Sequence, residues 1–232
     1  MAREELINLL KENAFTKPVF IRVNDAMDAI GREDIDAISP YQDQIEAIIL
    51  PKTQSFDFLA TLAPMIDFSN KLVPLIETPR AIDTVTQIAA FKDVVGLFFG
   101  AADSSASLGC KLAWEPLLYA RQKVVLAAAM YNLFTIDAPF FYIDDKEGLK
   151  KEAEAVKNLG FTGKAAIHPD QIDFINESFA PTSEEIAEGK KVLEEYQKSG
   201  GGAVKIDGQM VDEPIAEAMR LKISLGEEEN ED

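Results

Sequence analysis

Residues 72–79 read LVPLIETP and residues 94–103 read VVGLFFGAAD, with AIDTVTQIAAF (81–91) between them. Each apolar run is closed by an acid, Glu77 or Asp103, set among small or turn-forming residues. Thr78-Pro79 puts a capping hydroxyl before a proline at the first helical position, so 81–91 is predicted as a helix. Consecutive apolar residues mean strands buried on both faces, the habit of parallel sheets. On either side of this stretch the same unit recurs. Val19–Val23, Ala47–Leu50, Phe134–Ile136 and Ala165–Ile167 read as further strands. Residues 54–68, 114–130 and 145–159 read as helices, the last stopped by Gly160. Repeated β-α units predict an α/β fold, either a β/α barrel or an open doubly wound sheet.

After the sixth strand the pattern turns helical, over 170–178, 183–198 and 212–225, with Gly200-Gly201-Gly202 as a flexible joint before the last. The expected organisation is a barrel over 1–198, a mobile C-terminal segment ending in a helix over 199–226, and an acidic tail over 227–232. That tail holds Glu227, Glu228, Glu229, Glu231 and Asp232, and such a run reads as a solvated end.

The 232 residues, 47% hydrophobic, suffice for one large core. With 23 Lys+Arg against 40 Asp+Glu the formal net charge is −17, which argues against nucleic acid and anionic membranes as partners. One cysteine, Cys110, excludes an intramolecular disulfide and suits a reducing cytoplasm. One cysteine and one histidine exclude zinc-finger and multi-histidine sites. No apolar run approaches the roughly 18 residues of a membrane span, and no signal core opens the chain, so a cytoplasmic protein is expected.

In parallel β/α folds chemistry gathers where strands end and βα loops begin. Glu77 and Asp103 end consecutive strands, and two adjacent carboxylates with room for water suit magnesium, which takes few protein ligands. Alternatively each caps its following helix. Arg22, at the first strand's end, can hold a substrate carboxylate with its planar fork or form a strand-end salt bridge. Gly100-Ala101-Ala102 offers free backbone N–H groups to a ligand's oxygens. Lys52 also lies at a strand end, where a Schiff-base lysine would sit, but as a lone lysine it serves equally as a carboxylate partner. His168, before Pro169, reads as a buried anchor at a helix start. Residues 160–164 (GFTGK) are too short for a phosphate loop, and Ala165 stands where Ser or Thr is required.

These segments resemble the citrate lyase beta-subunit family within the HpcH/HpaI aldolase superfamily. The matching pieces are FIRVN (20–24), LPK (50–52), LVPLIETP (72–79), FGAAD (99–103), YAR (119–121), ID (136–137), GFTGKAAIHP (160–169) and GQMVDEP (208–214), in the family's order. The resemblance implies a TIM-type (β/α)8 barrel with Mg2+ on Glu77 and Asp103 and with Arg22 binding the oxo-acid carboxylate, beside which Ala101 and Ala102 are read as further substrate-binding positions. It implies that Asp212 reaches a neighbouring protomer's site, commonly in a homotrimer, as the acid that protonates a thioester enolate. Read without the resemblance, Asp212 is as readily a helix N-cap. The implied activity is a carbon–carbon lyase splitting a citryl, malyl or citramalyl thioester, carried on CoA or an acyl-carrier protein, into acetyl thioester and oxo acid. Other lyase subunits are possible partners of such a chain.

Relatives begin about two β/α units earlier, with a strand ending in a Pro-Gly loop and another ending in an Asp-Leu-Glu-Asp-like motif. Six strands rather than eight are therefore expected, with sheet edges at Val19–Val23 and near Ala165–Ile167. Two classes of function follow: the lyase, or a non-catalytic CoA- or oxo-acid-binding barrel. Joint retention of Arg22, Glu77, Asp103 and Asp212 favours the lyase, and the short barrel favours the binding protein.

Overall fold

The computed structural model describes residues 2–65, 71–200 and 202–228. Helix α1 (Ala2–Lys11) leads to β1 (Phe20–Arg22), α2 (Ala29–Ile38), β2 (Ala47–Leu50), α3 (Phe56–Leu62) and β3 (Leu72–Ile76). Next come the short α4 (Pro79–Asp83) and α5 (Val85–Ala89), β4 (Gly96–Phe99), α6 (Ala101–Leu108), α7 (Trp114–Met130), β5 (Phe134–Asp137), α8 (Lys146–Leu159) and β6 (Gly163–Lys164). The chain continues through α9 (Ile172–Phe179), α10 (Ser183–Lys198), a hairpin of β7 (Val204–Ile206) and β8 (Gln209–Val211), and α11 (Glu213–Glu228).

Strands β1 to β6 are parallel and stand in chain order, as successive β-α units require. Side chains alternate across the sheet. Ala47, Ile49, Val73 and Leu75 cluster on the inner face, with Phe98 and Phe134 packed against them. Ile48, Leu50, Leu72, Ile76, Leu97 and Phe99 point outward into the larger core, where they meet Leu59, Val85, Ile88, Leu117, Val124 and Val156 of the helices. Both faces thus carry buried apolar side chains, which explains the unbroken apolar runs. The sheet is strongly curled. Phe20 on β1 and Phe134 on β5 meet edge to face with centroids 5.7 Å apart, whereas four flat strand spacings would separate them by about 19 Å. The result is a half-barrel of TIM-type β/α units with β1 and β6 at its edges, followed by C-terminal helices.

Several local expectations are corrected. The last strand is not Ala165–Ile167 but Gly163–Lys164, paired in register with Ile136 and Asp137. Lys164 can lie in a buried strand because its ammonium is bonded to the Asp137 and Glu152 carboxylates and the Ala138 carbonyl. The helix expected over 81–91 breaks at Thr84, whose hydroxyl reaches the carbonyls of Arg80 (2.9 Å) and Gln54 (3.2 Å). The helix expected over 54–68 begins after Ser55, which caps the Phe58 amide, and gives way to a 3-10 turn at 63–65. Residues 66–70 lie outside the described residues.

The region after α10 is not purely helical. Asp207 and Gly208, with φ of 46° and 90°, make the tight turn of the β7–β8 hairpin. Ile206 and Val211 of the hairpin join Val192, Tyr196 and Ala216 in a small core of their own. Gly200 is left-handed at φ 76°, and Gly201 lies outside the described residues. Of the expected acidic tail, Glu227 and Glu228 end α11, and 229–232 lie outside the described residues. No described helix is long and apolar enough to cross a membrane.

Candidate active site

A cavity of about 450 Å³ opens at the C-terminal end of the half-barrel. The end of β1 contributes Arg22 and the residue after β3 contributes Glu77. The β4–α6 junction contributes Gly100, Ala101, Ala102 and Asp103, with Pro139, Phe141 and Ala166 along the far wall. Five residues singled out from sequence, Arg22, Glu77, Ala101, Ala102 and Asp103, therefore share one cavity.

Glu77 is only 3% exposed. Its Oε1 accepts the Lys52 backbone N–H at 2.8 Å. Lys52 adopts a left-handed backbone, φ 57°, as it turns from β2 toward α3. Burial pushes the Glu77 carboxyl above its ordinary value; the Lys52 amide opposes this, and the Asp103 carboxyl beside it adds to the rise. Asp103 sits in the first turn of α6, where the helix dipole favours an acid, and its side chain is 57% exposed. The Lys52 ammonium stands 3.7 Å from Asp103 Oδ1. Glu77 does not cap α4; Thr78 does, accepting the Ala81 amide at 3.1 Å.

Arg22 is exposed and makes no hydrogen bond or ion pair with any described residue, so the salt-bridge alternative has no partner there. Ala101 is buried and Ala102 exposed at the start of α6. Asp212 is elsewhere. Its Oδ1 lies 3.5 Å from the Ile215 amide at the start of α11, a capping position, and it is not among the cavity's lining residues. His168 is half-buried, and its Nδ1 accepts the Asp170 amide at 3.2 Å to cap the turn at 169–171.

The sequence reading missed a buried charge chain behind the cavity wall. Arg121 Nε donates to Asp137 Oδ1 at 2.8 Å, Lys164 Nζ donates to Asp137 Oδ2 at 2.9 Å, and Lys164 also reaches Glu152 at 2.7 Å. The Arg121 guanidinium lies over the rings of Trp114 (4.8 Å) and Phe99 (5.2 Å). A signal existed, since Arg121 shares the helical face of Leu117, Val124 and Ala128, all buried. Its partner, 16 positions away, was not readable.

Among the described residues no three His, Cys, Asp or Glu side chains gather as a metal cage. The donor set is the two carboxylates, one of which has a single oxygen committed to an amide. Two carboxylates open to water suit an ion that keeps most of its waters, and not a structural zinc.

Residues 1–169 match the HpcH/HpaI aldolase/citrate lyase family. Citramalyl-CoA lyase, mitochondrial, of Homo sapiens is 30% identical over 88% of this chain and 67% of its own length. The solved structure of RipC from Yersinia pestis is 40% identical, with a TM-score of 0.71 over 80% of this chain and 83% of that one. CitE from Mycobacterium tuberculosis, solved with magnesium, acetoacetate and coenzyme A, is 28% identical, with a TM-score of 0.82 over 97% of this chain and 83% of that one. Sequence and fold thus agree, and the chain belongs to the HpcH/HpaI aldolase/citrate lyase family.

Proposed function

We propose that this chain is a magnesium-dependent carbon–carbon lyase that splits a 3-hydroxy-3-carboxy thioester of CoA or an acyl-carrier protein into an acetyl thioester and an oxo acid. The observation that carries the reading is the pair Glu77 and Asp103 beside the partnerless Arg22 in one cavity. The similar CitE was solved with magnesium, acetoacetate and coenzyme A, and the similar human protein is a citramalyl-CoA lyase.

Glu77 and Asp103 would hold the ion, whose bound chemistry is Lewis acidity toward the developing oxyanion. Arg22 offers a fork for the oxo-acid carboxylate, and the amides of Ala101 and Ala102 offer donors to its other oxygens. In the cleavage the substrate hydroxyl gives its proton to water and becomes the ketone. The electron pair of the broken carbon–carbon bond passes to the thioester enolate, which takes up a proton at carbon. Asp212 is assigned as that proton's source; it does not line its own chain's cavity, and the family resemblance has it delivered from a second copy in a trimer. The free Cys110 fits a reducing cytoplasm.

The test is calorimetric titration of oxaloacetate into the 232-residue chain with and without magnesium, beside Glu77→Ala. Binding that needs magnesium and is lost in the variant is the expected result. Binding indifferent to both would overturn the site assignment.

A further inference from the structure

Lys52 touches both acids of the site, each with a different group. Its amide donates to Glu77 Oε1 at 2.8 Å, and its ammonium stands 3.7 Å from Asp103 Oδ1. The two contacts differ in kind. The amide is held by the backbone, whose turn is pinned on both sides: buried Thr53 bonds back to the Leu50 carbonyl at 3.1 Å, and Ser55 caps α3. The left-handed φ of 57° aims that N–H, and a β-branched or bulky side chain rarely accepts such a backbone. The ammonium, by contrast, rides on four methylenes, is half exposed, and has Asp103 as its only ion-pair partner among the described residues.

We infer that Lys52 is a positioning residue that serves the metal site twice: its amide fixes one oxygen of Glu77 so that the other is presented, while its ammonium is the resident counter-ion of Asp103 that a divalent cation displaces. The inference rests on the magnesium reading of this site. Two carboxylates side by side, one of them buried, repel each other when no cation is present. A tethered ammonium lowers that repulsion without filling the site, because an exposed pair at this separation is weakly held. A divalent cation then replaces a single, loosely bound charge. The cost of displacing the ammonium appears as a lower metal affinity than the two carboxylates alone would give.

The test is direct magnesium titration by calorimetry, without oxo acid or thioester, on the full chain as wild type, Lys52→Gly and Lys52→Arg. Glycine accepts the left-handed backbone and keeps the amide, so Lys52→Gly removes the ammonium alone. Its expected magnesium affinity is about two- to fivefold tighter than wild type, the range set by an exposed ion pair. Lys52→Arg keeps the charge and is expected to bind no more tightly than wild type. Unchanged or weaker affinity in Lys52→Gly, or equal tightening in both variants, would overturn the counter-ion role. Thermal melts of the three proteins exclude misfolding as the cause. Absence of magnesium binding by the wild type would instead overturn the reading of the site itself.

Discussion

Gly100 lies so close to Glu77 that a methyl group on its α-carbon would stand 2.6 Å from Glu77 Cβ and 3.1 Å from Oε2. The glycine is needed for space and not for conformation, since its φ of −100° is ordinary. In Gly100→Ala the Glu77 side chain must shift, and the overpacking is expected to cost about 1–3 kcal/mol. Magnesium-dependent oxaloacetate binding should weaken at least as much as in a conservative Glu77 variant. Calorimetry and a thermal melt check this, and unaltered binding would show that the Glu77 position is immaterial.

The raised pKa of Glu77 has a definite sign in stability. Folded, this carboxyl holds its proton more tightly than when unfolded, where the ordinary value is 4.5. Metal-free protein is therefore expected to lose stability as pH rises from that value through the folded pKa, and magnesium binding should weaken as pH falls through it. Glu77→Gln removes both dependences. Melts across pH, with magnesium titrations at each pH, would sink the idea if wild type and Glu77→Gln ran parallel.

Asp137 is the hinge of the buried charge chain, fully enclosed and shared by Arg121 and Lys164. Asp137→Ala leaves the buried Arg121 guanidinium without its counter-ion, while Lys164 keeps Glu152 and the Ala138 carbonyl, and is expected to cost about 3–5 kcal/mol. Arg121→Met should cost less: Asp137 keeps Lys164, the apolar chain fills the slot between Phe99 and Trp114, and buried Nη1 already lacks a partner among the described residues. Urea unfolding of the two variants gives the order, and the reverse order would refute the argument.

Gly96 on β4 admits the Phe134 ring, whose Cε2 would lie 2.3 Å from an added Cβ. The ring cannot simply swing away, because Phe20 packs against it. Gly96→Ala should therefore destabilise by about 1–3 kcal/mol. Adding Phe134→Leu, which shortens the offending side chain, should recover part of the loss. A double variant no more stable than Gly96→Ala would show that the clash lies elsewhere.

Asp212 separates two roles by a single atom. Asp212→Asn keeps an oxygen for the cap of α11 but removes the acid. Melting temperature should stay within a degree or two, while thioester cleavage should fall by about 10²–10⁴-fold if the carboxyl carries the proton. Full turnover by the variant would remove Asp212 from the proposed mechanism.

Much of the architecture was legible because periodicity is a local property. The runs at 47–50 and 72–76 became strands with those bounds, and α7 and α10 occupy the residues their apolar spacing indicated. The cavity's rim was legible as well, since Arg22, Glu77 and Asp103 each follow an apolar run and parallel strands deliver all such ends to one side. The β7–β8 hairpin escaped because its strands are only three residues long, too short for alternation to stand out, although Asp207-Gly208 is a strong turn signal. Strand β6 was misplaced because Lys164 looks like a surface residue until its partners are known.

The parallel β-α order, the acidic rim and the family can be read along the chain, because each depends on residues within a few positions of one another or on motifs in linear order. Which charges meet is set by packing in three dimensions. The Lys52 amide reaches Glu77 across 25 positions, and Lys164 reaches Asp137 across 27. Those approaches are set by strand register and by the curl that brings Phe20 onto Phe134. Burial then decides their strength, since a carboxylate excluded from water must find a donor, a cation or a proton.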